Sequence, residues 1–213
     1  MKRGILISMA ALAAAGWFLY SNNAAGGPVE ATVNRVIDGD TITVNGTIQG
    51  KAYTDKKVRV MYIDTPEVRN NRHDRAMAEG RRATALLKKY LKPGHGVTMI
   101  NPGGTIGFDR YGRLLAIVLF NDTSIEELMI RSGYSVLWRK YGSPPEPYLS
   151  RWLDAEEEAR REKRGCWESS PKWMRDKRNE RTAPNYQEIT LSCVWRGVQP
   201  AGHGGDAHTS GYP

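Results

Sequence analysis

Five short runs alternate in the manner of β-strands between residues 31 and 120, with one helical segment set among them. They read "ATVNRVI", "TITV", "KKVRVMYI", "GVTMI" and "RLLAIVLF". They are bounded by Gly, Pro and Asp, and further helical segments follow them. The economical arrangement is a small closed barrel of the OB type, and the predicted class is α+β, mainly β, with five barrel strands and about three helices. The first helical segment, "DRAMAEGRRATALLKKYLKPG", has Asp74 placed as a cap and Ala83, Leu86, Leu87, Tyr90 and Leu91 on one face, and stops at Pro93-Gly94. "SIEELMIRSG" has Ser124 and Glu127 at capping-box spacing and closes on Gly133. The third, "YLSRWLDAEEEARREKRG", is expected to run to Gly165 with Leu149, Trp152, Leu153 and Ala159 as its apolar stripe.

The 213 residues divide into four parts. Met-Lys-Arg precedes an uncharged run, residues 4–20, with the layout of a secretory signal. As a helix that run spans roughly 24–26 Å, short of the roughly 30 Å of hydrocarbon in a bilayer. Residues 1–20 are therefore expected to be a signal peptide or an N-terminal membrane anchor. The protein would be exported: periplasmic, secreted, or held on the outer side of the inner membrane. Residues 21–30 form a polar, Gly/Pro-bearing linker, residues 31–168 the barrel domain, and residues 169–213 a basic and Gly/His-rich extension expected to be partly disordered. Within that extension His203 and His208 read as solvated side chains rather than a metal site.

The net charge of +8 points to a polyanionic partner, nucleic acid or anionic lipid, without choosing between them. Only Cys166 and Cys193 are present, which argues against a structural zinc site. In an exported protein such a pair favours one disulfide, here tying the extension to an accessible helix boundary at Cys166.

The residues that carry chemistry fall in three segments. "IDGDT" (37–41) places two aspartates around a glycine, "VRVMYIDTPE" (58–67) holds Arg59, Asp64, Thr65 and Glu67, and "FDRYGR" (108–113) holds Arg110, Tyr111 and Arg113. Aspartates and backbone carbonyls without imidazole or thiolate suit a hard cation, Ca²⁺ or Mg²⁺. Two arginine forks suit the non-bridging oxygens of a phosphodiester. A further carboxylate, Glu67, suits proton removal from water. Arg59 and Asp64 are an odd number of residues apart, so in a straight strand they face opposite ways. They converge only if the chain turns near Ile63-Asp64, where Pro66 makes a turn credible.

In order and spacing these segments resemble the thermonuclease (micrococcal-nuclease-like) family over about residues 31–167. The resemblance rests on D-G-D-T, on R-x4-D-T-P-E, on "GRRATALLKKYL", on D-x-Y-G-R, on "SIEELMIRSG" and on a last helix ending in Gly-x-Trp. It implies that Asp40 and Asp64 bind Ca²⁺ through carboxylates and Thr65 through its carbonyl, while Asp38 holds the turn. It also implies that Glu67 activates water, that Arg59 and Arg113 clamp the scissile phosphate, and that DNA and RNA are cut to products with 3′-phosphates; the chain is expected to be a monomer. Arg110 and Tyr111 would touch the substrate. Where the family often has nucleotide-contacting tyrosines this chain reads "SVLWRKYGSPP", which nominates Trp138 or Tyr141.

Two other readings stand beside it: a non-catalytic nucleic-acid-binding module on the same barrel, and a membrane-anchored structural or adaptor protein, attached through residues 4–20, with its basic surface facing anionic lipid. Neither explains why Asp40, Arg59, Asp64, Glu67 and Arg113 are all present.

Overall fold

A computed structural model describes residues 27–69 and 77–180. β1 (Val29–Val36), β2 (Thr41–Ile48) and β3 (Lys51–Val60) form an antiparallel meander. The β2–β3 turn places Gln49 and Gly50 at φ 52° and 76°, the two-residue hairpin whose twist matches that of its strands. α1 (Ala78–Tyr90) leads into β4 (Gly96–Ile100), which pairs with β1, and β5 (Leu114–Phe120) pairs with β4. Parallel pairing of β5 with β3, Arg59 opposite Leu115, closes the five-stranded barrel, as the strand pattern predicts. A two-residue β6 (Thr123–Ser124) extends the sheet beyond β5.

The barrel is filled by Val33, Ile42, Val44, Val58, Val60, Met99 and Leu114, all buried. From Ala116 to Leu119 every residue of β5 is buried, because this strand is covered on both faces; hence its unbroken apolar run. α2 (Ile125–Arg131) packs on β5 and is capped as its sequence predicts, the Ser124 hydroxyl accepting from the Glu127 N–H at 3.0 Å. The same hydroxyl accepts from Trp152 Nε1 at 3.0 Å, which locks α2 to α3 (Tyr148–Arg161).

Several expectations need correction. β3 ends at Val60, three residues short of the predicted run, because Tyr62 adopts a left-handed conformation (φ 59°). α3 stops at Arg161 rather than Gly165 and buries Tyr148, Trp152, Ala155 and Ala159, whereas Leu153 is 39% exposed. A stripe stepping by four, three and four residues fixes the inward face, and Leu153 lies about 100° round from Trp152. Two further helices follow, α4 (Cys166–Ser169) and α5 (Pro171–Asn179). Met174 of α5 is fully buried with Val136, Ala159, Cys166 and Trp167 in a second apolar cluster. Cys166 is therefore not at an accessible boundary, and burial pushes its thiol up to about 12. Asp74, Cys193, His203, His208 and the segment 1–20 lie outside the described residues.

One buried acid carries a prediction. Glu126 on α2 is completely buried; Oε1 accepts from the Val118 N–H at 3.3 Å, while Oε2 has no hydrogen-bond partner among the described residues. Burial raises its carboxyl well above the ordinary range. The folded state thus holds this proton more tightly than the unfolded chain does. Its contribution to stability is complete below the ordinary glutamate value of about 4.3 and is lost as pH rises towards the folded-state value. Glu126→Gln, which mimics the protonated acid, should flatten that slope and stabilise the protein by about 1–3 kcal/mol at alkaline pH. Urea unfolding of both proteins from pH 5 to 8 checks this; parallel curves would show that Glu126 does not titrate between the two states.

Candidate active site

The turn between β1 and β2 is built by its own side chains. The N–H groups of Ile37 and Asp38 both donate to the Thr41 carbonyl, and Asp38 Oδ1 accepts from the Asp40 N–H at 3.2 Å. This places the Asp40 carboxylate inside the molecule, where Oδ1 accepts from the Thr41 hydroxyl at 3.1 Å. Oδ2 accepts from the Thr65 N–H at 3.0 Å, so Asp40 fastens the first segment to the second. Glycine is required between the two aspartates: a Cβ on Gly39 would stand 2.6 Å from Thr65 Oγ1.

The second segment is aimed by the break at the end of β3. Val60 donates to the Asp40 carbonyl at 2.9 Å, the chain reverses through Tyr62, and the Tyr62 carbonyl accepts from the Trp138 N–H at 2.8 Å. The Ser135 hydroxyl then accepts from the Asp64 N–H at 2.9 Å. The turn lies at Met61-Tyr62, ahead of the Ile63-Asp64 position that the sequence suggests. It has the required effect: Arg59 and Asp64 meet. Arg59 spans the two aspartates, with one terminal nitrogen 3.2 Å from Asp40 Oδ2 and the other 3.1 Å from Asp64 Oδ1. Its guanidinium lies 5.8 Å from the Trp138 ring centre, and Trp138 meets Tyr141 edge-to-face at 5.1 Å.

Carboxylates outnumber cations here. Burial, then the neighbouring charge of Asp40, pushes Asp38 up to about 7. Burial also raises Asp64, against the pull of Arg59 and of Lys177. Burial works against the charge on Arg59, but Asp40, Asp64, Asp38 and Glu67 outweigh it and hold the guanidinium above its ordinary value.

Glu67 is therefore close enough to act on Arg59 electrostatically, and its backbone is clamped beneath α1. The Glu67 carbonyl accepts from the Met77 N–H at 2.9 Å, and a Cβ on Gly80 would fall 2.4 Å from that carbonyl oxygen.

The third segment is a separate turn ahead of β5. Asp109 Oδ1 accepts from the N–H groups of Tyr111 and Arg113, and Oδ2 accepts from Arg113 Nε at 2.7 Å. Tyr111 is 63% exposed, with the guanidinium groups of Arg110 and Arg113 at 4.8 and 5.6 Å from its ring centre. Arg113 comes two residues before Leu115, the residue paired with Arg59. The structure thus gathers Asp38, Asp40, Arg59, Asp64, Thr65, Glu67 and Trp138, and holds Arg110, Tyr111 and Arg113 in the neighbouring turn.

The sequence reading overlooks Lys177, whose ammonium is 2.7 Å from Asp64 Oδ2, and Ser135, which orients Asp64. Lys177 lies in none of the quoted segments, and Ser135 opens "SVLWRKYGSPP", which is quoted only for its aromatic residues.

The donor set suits a hard cation. Asp40 and Asp64 offer carboxylate oxygens close to one another, both within reach of the single guanidinium of Arg59. No group of three or more His, Cys, Asp or Glu side chains forms a ready cage among the described residues, and Arg59 and Lys177 lie against the two oxygens of Asp64.

The model of staphylococcal nuclease homologues matches residues 57–169, more than half of the chain. This chain belongs to that family. Similar proteins include an uncharacterized endonuclease of Escherichia coli, 30% identical over 162 residues, which cover 74% of this chain and 91% of the relative. Endonuclease YncB of Bacillus subtilis is 31% identical over 144 residues, covering 67% of this chain and 63% of the relative. The SPbeta prophage-derived endonuclease YokF of the same organism is 32% identical over 139 residues, covering 65% and 44%. The chain thus spans less than two thirds of the two Bacillus endonucleases. Asp40 precedes the matched range and Lys177 follows it.

Proposed function

We propose that this chain is a Ca²⁺-dependent phosphodiesterase that hydrolyses DNA and RNA to products ending in 3′-phosphates. The observation that carries the reading is Arg59, buried and bridging Asp40 and Asp64, beside Glu67 and a tryptophan face. Family membership and endonuclease-named relatives support it.

In this reading Asp40, Asp64 and the Thr65 carbonyl hold the ion, which when bound supplies positive charge to the phosphate and lowers the pKa of water. Arg59 and Arg113 grip the non-bridging oxygens and stabilise the charge that grows on them in the transition state. Glu67 takes a proton from the attacking water as its oxygen bonds to phosphorus; the bond to the 5′ oxygen breaks, and that oxygen takes up a proton. Trp138, Tyr141 and Tyr111 offer ring faces on which bases stack, with Arg110 nearby for the backbone. We extend the proposal to an exported protein, on the basic start and uncharged run of residues 1–20.

The test is incubation with end-labelled DNA and RNA in Ca²⁺, in Mg²⁺ and with a Ca²⁺ chelator, followed by analysis of product ends. Cleavage that needs Ca²⁺ and leaves 3′-phosphates is the expected result. Binding without cleavage would return the chain to the non-catalytic module, and 5′-phosphate products would reject the assigned geometry of attack.

A further inference from the structure

The last described helix reaches back into the carboxylate cluster. Pro171 opens α5, and Met174 anchors it in the second apolar cluster. Three residues on, the Lys177 side chain is only 10% exposed, with its ammonium 2.7 Å from Asp64 Oδ2 and 3.4 Å from Glu180 Oε1. Two contacts fix the helix from outside: Arg178 Nε lies 2.7 Å from Glu156 Oε1, and Trp138 Nε1 donates to Glu180 Oε2 at 3.1 Å. The ring that lies over Arg59 is therefore tied to the same helix end.

A buried ammonium is costly unless it is paired, and removing its partner is costlier still. The pairing here falls on one particular oxygen. Arg59 already takes Asp64 Oδ1, and Lys177 takes Oδ2. A divalent ion drawing on Asp64 meets two positive charges already placed against the same carboxylate. In the proposed function Arg59 stays at the site to grip the phosphate, and its fork is also tied to the Val60 carbonyl. Lys177 has no part in that chemistry and stands on a flexible stem from the nine-residue α5.

We propose that Lys177 is a tethered cation that competes with Ca²⁺ for Asp64, so that metal loading and docking of α5 oppose one another. The proposal rests on the reading of Asp64 as a metal ligand. It concerns a segment outside the family match, which ends at residue 169. Because binding linkage is reciprocal, if docked α5 weakens Ca²⁺ binding, bound Ca²⁺ must weaken docking of α5 by the same factor.

Two measurements on the full chain test both directions. Calorimetric titration with Ca²⁺ should show Lys177→Met binding at least about 5-fold more tightly than wild type, at the lower end of typical coupling. Lys140→Met removes a charge 3.5 Å from Glu180 Oε2 and serves as the control for general electrostatics; it should change affinity by less than about 2-fold. In wild type, saturating Ca²⁺ should accelerate amide exchange across residues 171–179. Equal or weaker Ca²⁺ binding by Lys177→Met overturns the proposal, as does an equal gain in Lys140→Met. So does α5 exchange that is unchanged or slowed by Ca²⁺, a readout that needs no variant if Lys177→Met fails to fold. Absence of Ca²⁺ binding in both wild type and Lys177→Met would be a different failure, removing the metal reading itself.

Discussion

Arg59→Lys should lower the rate of phosphodiester cleavage by about 10²-fold or more, the order expected for loss of one oriented donor to transition-state charge. The reason is geometric. The guanidinium reaches Asp40 Oδ2 with one terminal nitrogen and Asp64 Oδ1 with the other, and the first also donates to the Val60 carbonyl at 2.9 Å. A lysine carries the charge but not the planar fork, so it satisfies one carboxylate at a time and cannot grip a phosphate in bidentate fashion. The same replacement at Arg113 should also be costly, by a related route: Nε is engaged by Asp109 at 2.7 Å, which orients the fork. Circular dichroism separates a folding defect from a catalytic one. Near-normal turnover in both lysine variants would reduce the two arginines to general positive charge.

The features that were legible in the sequence are those whose cause is local. The apolar run of β5 comes from burial on both faces, and the Ser124 cap is a side chain bonding three residues on along its own chain. In the "IDGDT" turn, Asp38 holds the N–H of Asp40 two residues away. Pairing of β3 with β5, which closes the barrel, is non-local, but it follows once five short strands must cover one core.

What escaped was decided by partners distant in sequence. Tyr62 is a poor residue for positive φ, and the conformation persists because its carbonyl is held by the Trp138 N–H, far along the chain. Leu153 looks apolar enough for the α3 stripe, but helix phase turns it outward. α5 is concealed by composition. "PKWMRDKRN" reads as solvated extension, yet Met174 is buried in the second apolar cluster and Lys177 against a carboxylate. Its signal was a lysine one helical turn from a core methionine, a pattern too common to single out.

Glu67→Gln should lower turnover by about 10²–10⁴-fold, the range for loss of a positioned general base, while leaving fold, Ca²⁺ binding and DNA affinity largely intact. The substitution keeps shape and removes the ability to take a proton. Position supports the specificity of the effect: Glu67 is not one of the proposed ligands, yet it lies close enough for its charge to act on Arg59. Its backbone is held by the Met77 N–H at 2.9 Å and by the close approach of Gly80, so the carboxylate has a fixed origin from which to meet the water. A uniform loss of binding would appear in KM, whereas loss of proton transfer appears in kcat with KM unchanged. Single-turnover cleavage of a short labelled DNA, alongside a Ca²⁺ titration of the same variant, separates the two. Cleavage at the wild-type rate by Glu67→Gln would assign the proton to another group, and weakened Ca²⁺ binding would make Glu67 a ligand instead of a base.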